Sequence, residues 1–114
     1  MFVKSLSLVA VLACFTALPT VASQAQTVSD ERKKELTHIV KQDCGSCHGM
    51  TLKGGLGTPL LPEDLKGKHV DFLTHTIMHG RPTTAMPPWN ALLTQSEARW
   101  IALQLKRGNF TNEK

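Results

Sequence analysis

Cys44-Gly45-Ser46-Cys47-His48 concentrates the reactive side chains of this chain: two thiols three residues apart, with an imidazole directly after the second. Thiols at this spacing near a helix end can each add to one of the two vinyl groups of a haem, and the next residue then lies under the iron. The pattern is that of c-type haem attachment and makes Cys44, Cys47 and His48 candidate cofactor-binding residues. Three other chemistries use the same residue types. A redox C-x-x-C wants a preceding strand and a βαβ setting, whereas a basic amphipathic helix precedes Cys44. A short-loop disulfide leaves the small core unexplained. A zinc site from Cys44, Cys47, His75 and His79 has 27 residues between Cys47 and His75, against about 12–15 in the finger pattern, and no second C-x-x-C exists.

A second iron ligand is predicted at Met86, in Thr84-Ala85-Met86-Pro87-Pro88-Trp89, 38 residues after His48. That length lets the chain wrap a flat macrocycle, and Pro87 fixes its own φ and biases Met86 toward extended backbone. Met50, two residues from His48, cannot cross the ring, and Met78 reads as helix packing. His69, His75 and His79 are the bis-histidine alternative. A thioether is soft and favours ferrous iron, so ligation by His48 and Met86 raises the reduction potential. Ligation on both faces also closes the iron to substrates. The expectation is one haem c carrying an electron, with no catalytic residue and no enzymatic activity of its own.

Helices must position these groups. One is predicted to start at Ser29, an N-cap with Asp30 and Glu31 in the first turn, and to end around Cys44 or Gly45. Leu36, Ile39 and Val40 form its apolar stripe. Gly49 to Pro62 is too rich in glycine and proline for a long element, and Pro62 to Leu65 suits one helical turn. A helix over Val70 to His79 stops at Gly80, with Val70, Leu73 and Ile77 on one face. Thr94-Gln95-Ser96-Glu97 is a capping box that opens a last helix, in which Ala98, Ile101, Ala102 and Leu105 recur at helical spacing before Gly108. No stretch alternates with period two for long enough to be a strand. The fold class is therefore all-α, with about three main helices and long loops wrapped around one covalent haem. Trp100 and Ile101 are predicted to pack against Leu36 and Val40.

The chain of 114 residues is 41% hydrophobic and 19% charged, which excludes disorder and leaves room for one domain. Thirteen basic against nine acidic residues give only +4, too little and too scattered for nucleic-acid binding. Leu6 to Leu18 is an apolar run of 13 residues, against the roughly 20 that span a bilayer, and Pro19 and small residues follow. Residues 1–25 thus read as a secretory signal peptide cut after Ala22 or Ala25, with lipidation at Cys14 as the alternative. Residues 26–114 are expected to form the exported mature domain, monomeric and without stable membrane insertion.

The C-x-x-C-H after an N-terminal helix, M-P-x-aromatic in a late loop and the C-terminal amphipathic helix together resemble class I cytochrome c, from about Glu31 to Gly108. The strings D-C-G-S-C-H-G-M-T-L-K-G-G-L-G, H-G-R-P-T-T-A-M-P-P-W and E-A-R-W-I-A are similar to the NirC-type small periplasmic cytochromes encoded beside cytochrome cd-type nitrite reductase. The resemblance implies one haem c, a periplasmic site, and redox partners: the nitrite reductase, to which electrons are delivered, or the proteins that mature its d-type haem. Class I cytochromes usually show G-P-x-L, with the proline carbonyl orienting the proximal histidine; here Gly57-Thr58-Pro59-Leu60 places the proline one position late. A carbonyl in Thr58 to Pro59 is predicted to orient His48. Arg81 and Trp89 are candidates for the haem propionates. Lys33, Lys34, Lys41, Lys53, Lys66 and Lys68 are candidates for a basic rim facing acidic partners. A haem sensor with a labile sixth ligand, or a zinc- or disulfide-stabilised binding module, is the rival reading.

Overall fold

Ser29 opens the first helix as predicted: its hydroxyl accepts the Arg32 N–H at 3.3 Å, and Asp30 and Glu31 fill the first turn. This is a computed structural model, and it describes residues 26–111; the signal peptide read over 1–25 and its cleavage site lie outside the described residues. Helix α1 (Asp30–Ile39) passes without a break into a π-helical segment (Val40–Cys44) and then α2 (Gly45–His48). The Gly45 N–H reaches the Val40 carbonyl, five residues back, which is the wider π winding. The expected end at Cys44 or Gly45 is therefore corrected. Gly45 is a buried interior residue with helical φ of −62°, and the helix stops at Gly49. What prolongs it is the following loop, whose N–H groups at Gly57 and Gly54 donate to the last carbonyls, Cys47 at 2.7 Å and His48 at 2.8 Å.

Helix α3 (Pro62–Leu65) is the single turn expected, with proline at its start. Lys106 pins its end by donating to the Leu65 carbonyl at 2.7 Å. Helix α4 (Val70–His79) buries Leu73 and Thr74, and the Thr74 hydroxyl is satisfied by the Val70 carbonyl at 2.8 Å. Helix α5 (Gln95–Arg107) carries the capping box in full: Thr94 Oγ1 accepts the Glu97 N–H at 3.3 Å, and Glu97 Oε2 accepts the Thr94 N–H at 2.7 Å. Among the described residues there is no strand, and no helix is long and apolar enough to cross a membrane.

The core forms where α5 meets α4 and α3. Leu36, Val40 and Ile101 are its most completely buried large side chains, joined by Leu65, Leu73, Leu93 and Leu105. Ile101 belongs to the same buried cluster as Leu36 and Val40, while Trp100 is half-buried beside it and sets its ring edge-on to Phe110, with centroids 6.0 Å apart. Arg32 ties the helix ends together, donating to Glu97 of α5 at 2.7 Å and to the Leu92 carbonyl at 3.2 Å.

Candidate haem site

The C-x-x-C-H segment lies at the junction of the π-helical segment and α2, so Cys44, Cys47 and His48 share one helix end. The loop after it sets the imidazole. Nδ1 of His48 donates to the Thr58 carbonyl at 2.6 Å, which leaves Nε2 as the nitrogen available to a metal. This settles the carbonyl that the sequence left between Thr58 and Pro59. Gly57 stacks so closely on the ring that a Cβ there would stand 2.7 Å from Nδ1 and 2.8 Å from Cε1. Only a residue without a side chain lets the loop pass that near, a constraint hidden among the glycines of the sequence.

Met86 comes from a second element, the strap between α4 and α5, and that strap is tied at its base. The Trp89 and Asn90 N–H groups donate to the Ile77 and Met78 carbonyls at the end of α4, at 3.1 and 3.2 Å. Above them, Arg81 N–H donates to the Met86 carbonyl at 3.2 Å. The Thr84 hydroxyl donates to the Arg81 carbonyl at 2.7 Å and accepts the Met86 N–H at 3.3 Å. Gly80 turns the chain with φ +67°, and a Cβ there would meet the Met86 carbonyl oxygen at 2.6 Å. Thr83 has φ +66°, a conformation costing a threonine about 1–2 kcal/mol, so the surrounding ties hold the strap against local strain.

Cys44, Cys47, His48 and Met86 all line one cavity of about 480 Å³, together with Arg81 and Trp89. An adjoining apolar lobe of about 170 Å³ shares Cys44, His48, Thr58, Arg81, Met86 and Trp89, and runs back to Leu65, Leu73 and Ile101 of the core. Burial pushes the Cys44 thiol up to about 11, and the Asp43 carboxylate adds to the rise. The position thus disfavours a thiolate. A largely apolar cleft, two sulfurs at its edge, an oriented imidazole and a thioether fit a haem.

The other candidates divide. Arg81 and Trp89 reach the cavity, whereas His69, His75 and His79 are absent from its lining. Met78 packs against the core, as expected. Among the described residues no three His, Cys, Asp or Glu side chains gather to hold a metal, so Cys44 and Cys47 do not meet His75 and His79. Of the six lysines, Lys68 lines the apolar lobe, and Lys33 is engaged by Asp30 at 2.7 Å. Lys34, Lys41, Lys53 and Lys66 are not in the lining. Sequence reasoning missed Gly57 and Thr84, and also Leu56 and Phe72, which line the two lobes while remaining exposed.

The family described as cytochrome C oxidase, cbb3-type, subunit III matches residues 31–103. Cytochrome c55X of Paracoccus denitrificans (strain Pd 1222) is 54% identical over 71 residues, covering 62% of this chain and 69% of that protein. Among solved structures, a c-type cytochrome NirC superposes with a TM-score of 0.71 at 46% identity, over 72% of this chain and 96% of that one. Dihydro-heme d1 dehydrogenase NirN, solved in complex with DHE, superposes with a TM-score of 0.56 at 33% identity, over 60% of this chain and 15% of that one. The family match begins in α1 and ends in α5, taking in both the helix that carries C-x-x-C-H and the strap that carries Met86. This chain belongs to the NirC-like small c-type cytochromes and binds haem c covalently.

Proposed function

We propose that the protein is a single-electron carrier, not an enzyme, in which Cys44 and Cys47 hold one haem through thioethers and His48 and Met86 ligate the iron. When bound, the haem supplies a one-electron couple whose range is set by its axial ligands. The chain's part is to position and exclude. The Thr58 carbonyl holds the His48 ring by its Nδ1–H, the strap presents the Met86 thioether, and the apolar lobe keeps water from the buried side. Arg81 offers a guanidinium to the propionates. The observation that carries this reading is the convergence of His48 and Met86, from separate elements, on one cavity from which His69, His75 and His79 are absent.

Replacing Met86 by Ala tests the ligand set. The oxidised wild type should show the near-infrared sulfur-to-iron band, and the variant should lack it; a variant that keeps the band refutes Met86. Ready binding of carbon monoxide by the reduced wild type, without denaturation, would instead indicate a sensor with a labile sixth ligand.

The partner is a component of the nitrite-reductase system, met in the periplasm after removal of residues 1–25. Kinship with a short part of a dihydro-heme d1 dehydrogenase favours service in maturing the d-type haem, as the redox partner of that assembly. Electron donation to the completed reductase is the second reading, favoured by the kinship with NirC along nearly its whole length. Deleting the gene separates them. A reductase that accumulates without its d-type haem supports maturation, and a complete reductase starved of electrons in periplasmic extracts supports donation.

A further inference from the structure

His75 and His79 lie one helical turn apart on α4 and stand outside the haem cavity. Both are exposed, and their ring centroids are 4.4 Å apart with the planes tilted by 43°. Two imidazoles sharing one ion at about 2.0–2.1 Å per nitrogen place their centroids roughly 4–5 Å apart, and the observed separation falls in that range. No hydrogen bond or ion pair among the described residues engages either ring. The i, i+4 spacing is also the one by which helical histidines bind zinc.

We propose that His75 and His79 form a two-histidine site for a divalent transition-metal ion on the outward face of α4. Imidazole suits copper(II), nickel(II) and zinc(II), and the stability order of divalent ions places copper(II) first. Asp71 stands one turn before His75, but Arg99 of α5 holds its carboxylate, so the remaining coordination positions belong to water. Occupancy staples the last turn of α4, whose Ile77 and Met78 carbonyls anchor the strap through Trp89 and Asn90. The metal is therefore expected to slow amide exchange at Trp89 and Asn90.

The test is a copper(II) titration of the oxidised, untagged holocytochrome, followed by electron paramagnetic resonance and calorimetry. One copper per chain with coupling to two nitrogens is expected. Affinity should fall at least about tenfold in His75→Gln and in His79→Gln, and should hold in His38→Gln and His69→Gln. Each variant's haem spectrum and circular dichroism report whether it is folded. Absence of saturable binding, or binding unchanged in both His75→Gln and His79→Gln, overturns the proposal.

Discussion

At His48, two neighbours define where the ring can be: the Thr58 carbonyl, 2.6 Å from Nδ1, and Gly57, packed flat against the ring. An alanine at position 57 would put its methyl inside the ring's own contact distance, and the ring would have to move. Its hydrogen bond to Thr58 would lengthen, and with the proposed ligation by His48 the imidazole would become a poorer electron donor to the iron. Ferric iron loses more from that than ferrous iron does. Gly57→Ala is therefore expected to raise the reduction potential, on the order of 30–60 mV, where 59 mV is a tenfold change for one electron. Redox titration beside wild type checks it, and an unchanged potential would mean that the clamp does not tune the haem. Residue chemistry that depends on local spacing, Cys44 to His48, could be read from the sequence. The choice of Thr58 over Pro59 could not, because it depends on how the glycine-rich loop folds back over the helix end.

Among the elements, α5 was the most readable, since its capping box, apolar stripe and terminal glycine are all local signals. The first helix was misread at its end because a glycine commonly stops a helix, and nothing local shows that Gly45 is held inside a π turn while loop amides cap beyond it. Thr94→Ala removes the acceptor for the Glu97 N–H and should cost about 1 kcal/mol, measurable by thermal unfolding as a fall in Tm of about 5 °C. Glu97 has a second task. The Arg32 guanidinium bonded to it holds its carboxyl below the ordinary value of 4.5. A carboxyl depressed in the folded state contributes stability above its unfolded pKa and loses it as pH falls through the folded value. The wild type should therefore lose Tm as pH drops below about 4.5. In Glu97→Gln the amide oxygen still accepts the Thr94 N–H, so Tm should start lower near neutrality and fall less steeply in acid. Parallel acid limbs in the two proteins would remove Glu97 as the titrating group.

For the whole molecule, 114 residues with two Trp, four Phe and no Tyr lead one to expect an interior completed by something other than side chains. The structure gives that expectation a location. Leu65, Leu73, Leu93, Ile101 and Leu105 belong to the buried core and also line the apolar lobe of the haem cavity. Core and cofactor wall are thus the same side chains: the chain leaves each at most 9% exposed, and a haem in the lobe would complete the packing of the faces turned toward it. Burying five such residues is worth roughly 7–15 kcal/mol at about 1.5–3 kcal/mol each. That is the size of a small domain's entire net stability, about 5–15 kcal/mol. Removing the cofactor should consequently remove the fold instead of leaving a stable hollow shell. The double variant Cys44→Ala, Cys47→Ala, exported in the usual way, cannot form thioethers, and any haem held by His48 and Met86 alone can be extracted. After extraction, far-ultraviolet circular dichroism should show most of the helical signal lost, with no cooperative thermal transition. A haem-free chain that kept native helicity and melted cooperatively would mean that α3, α4 and α5 close the lobe unaided.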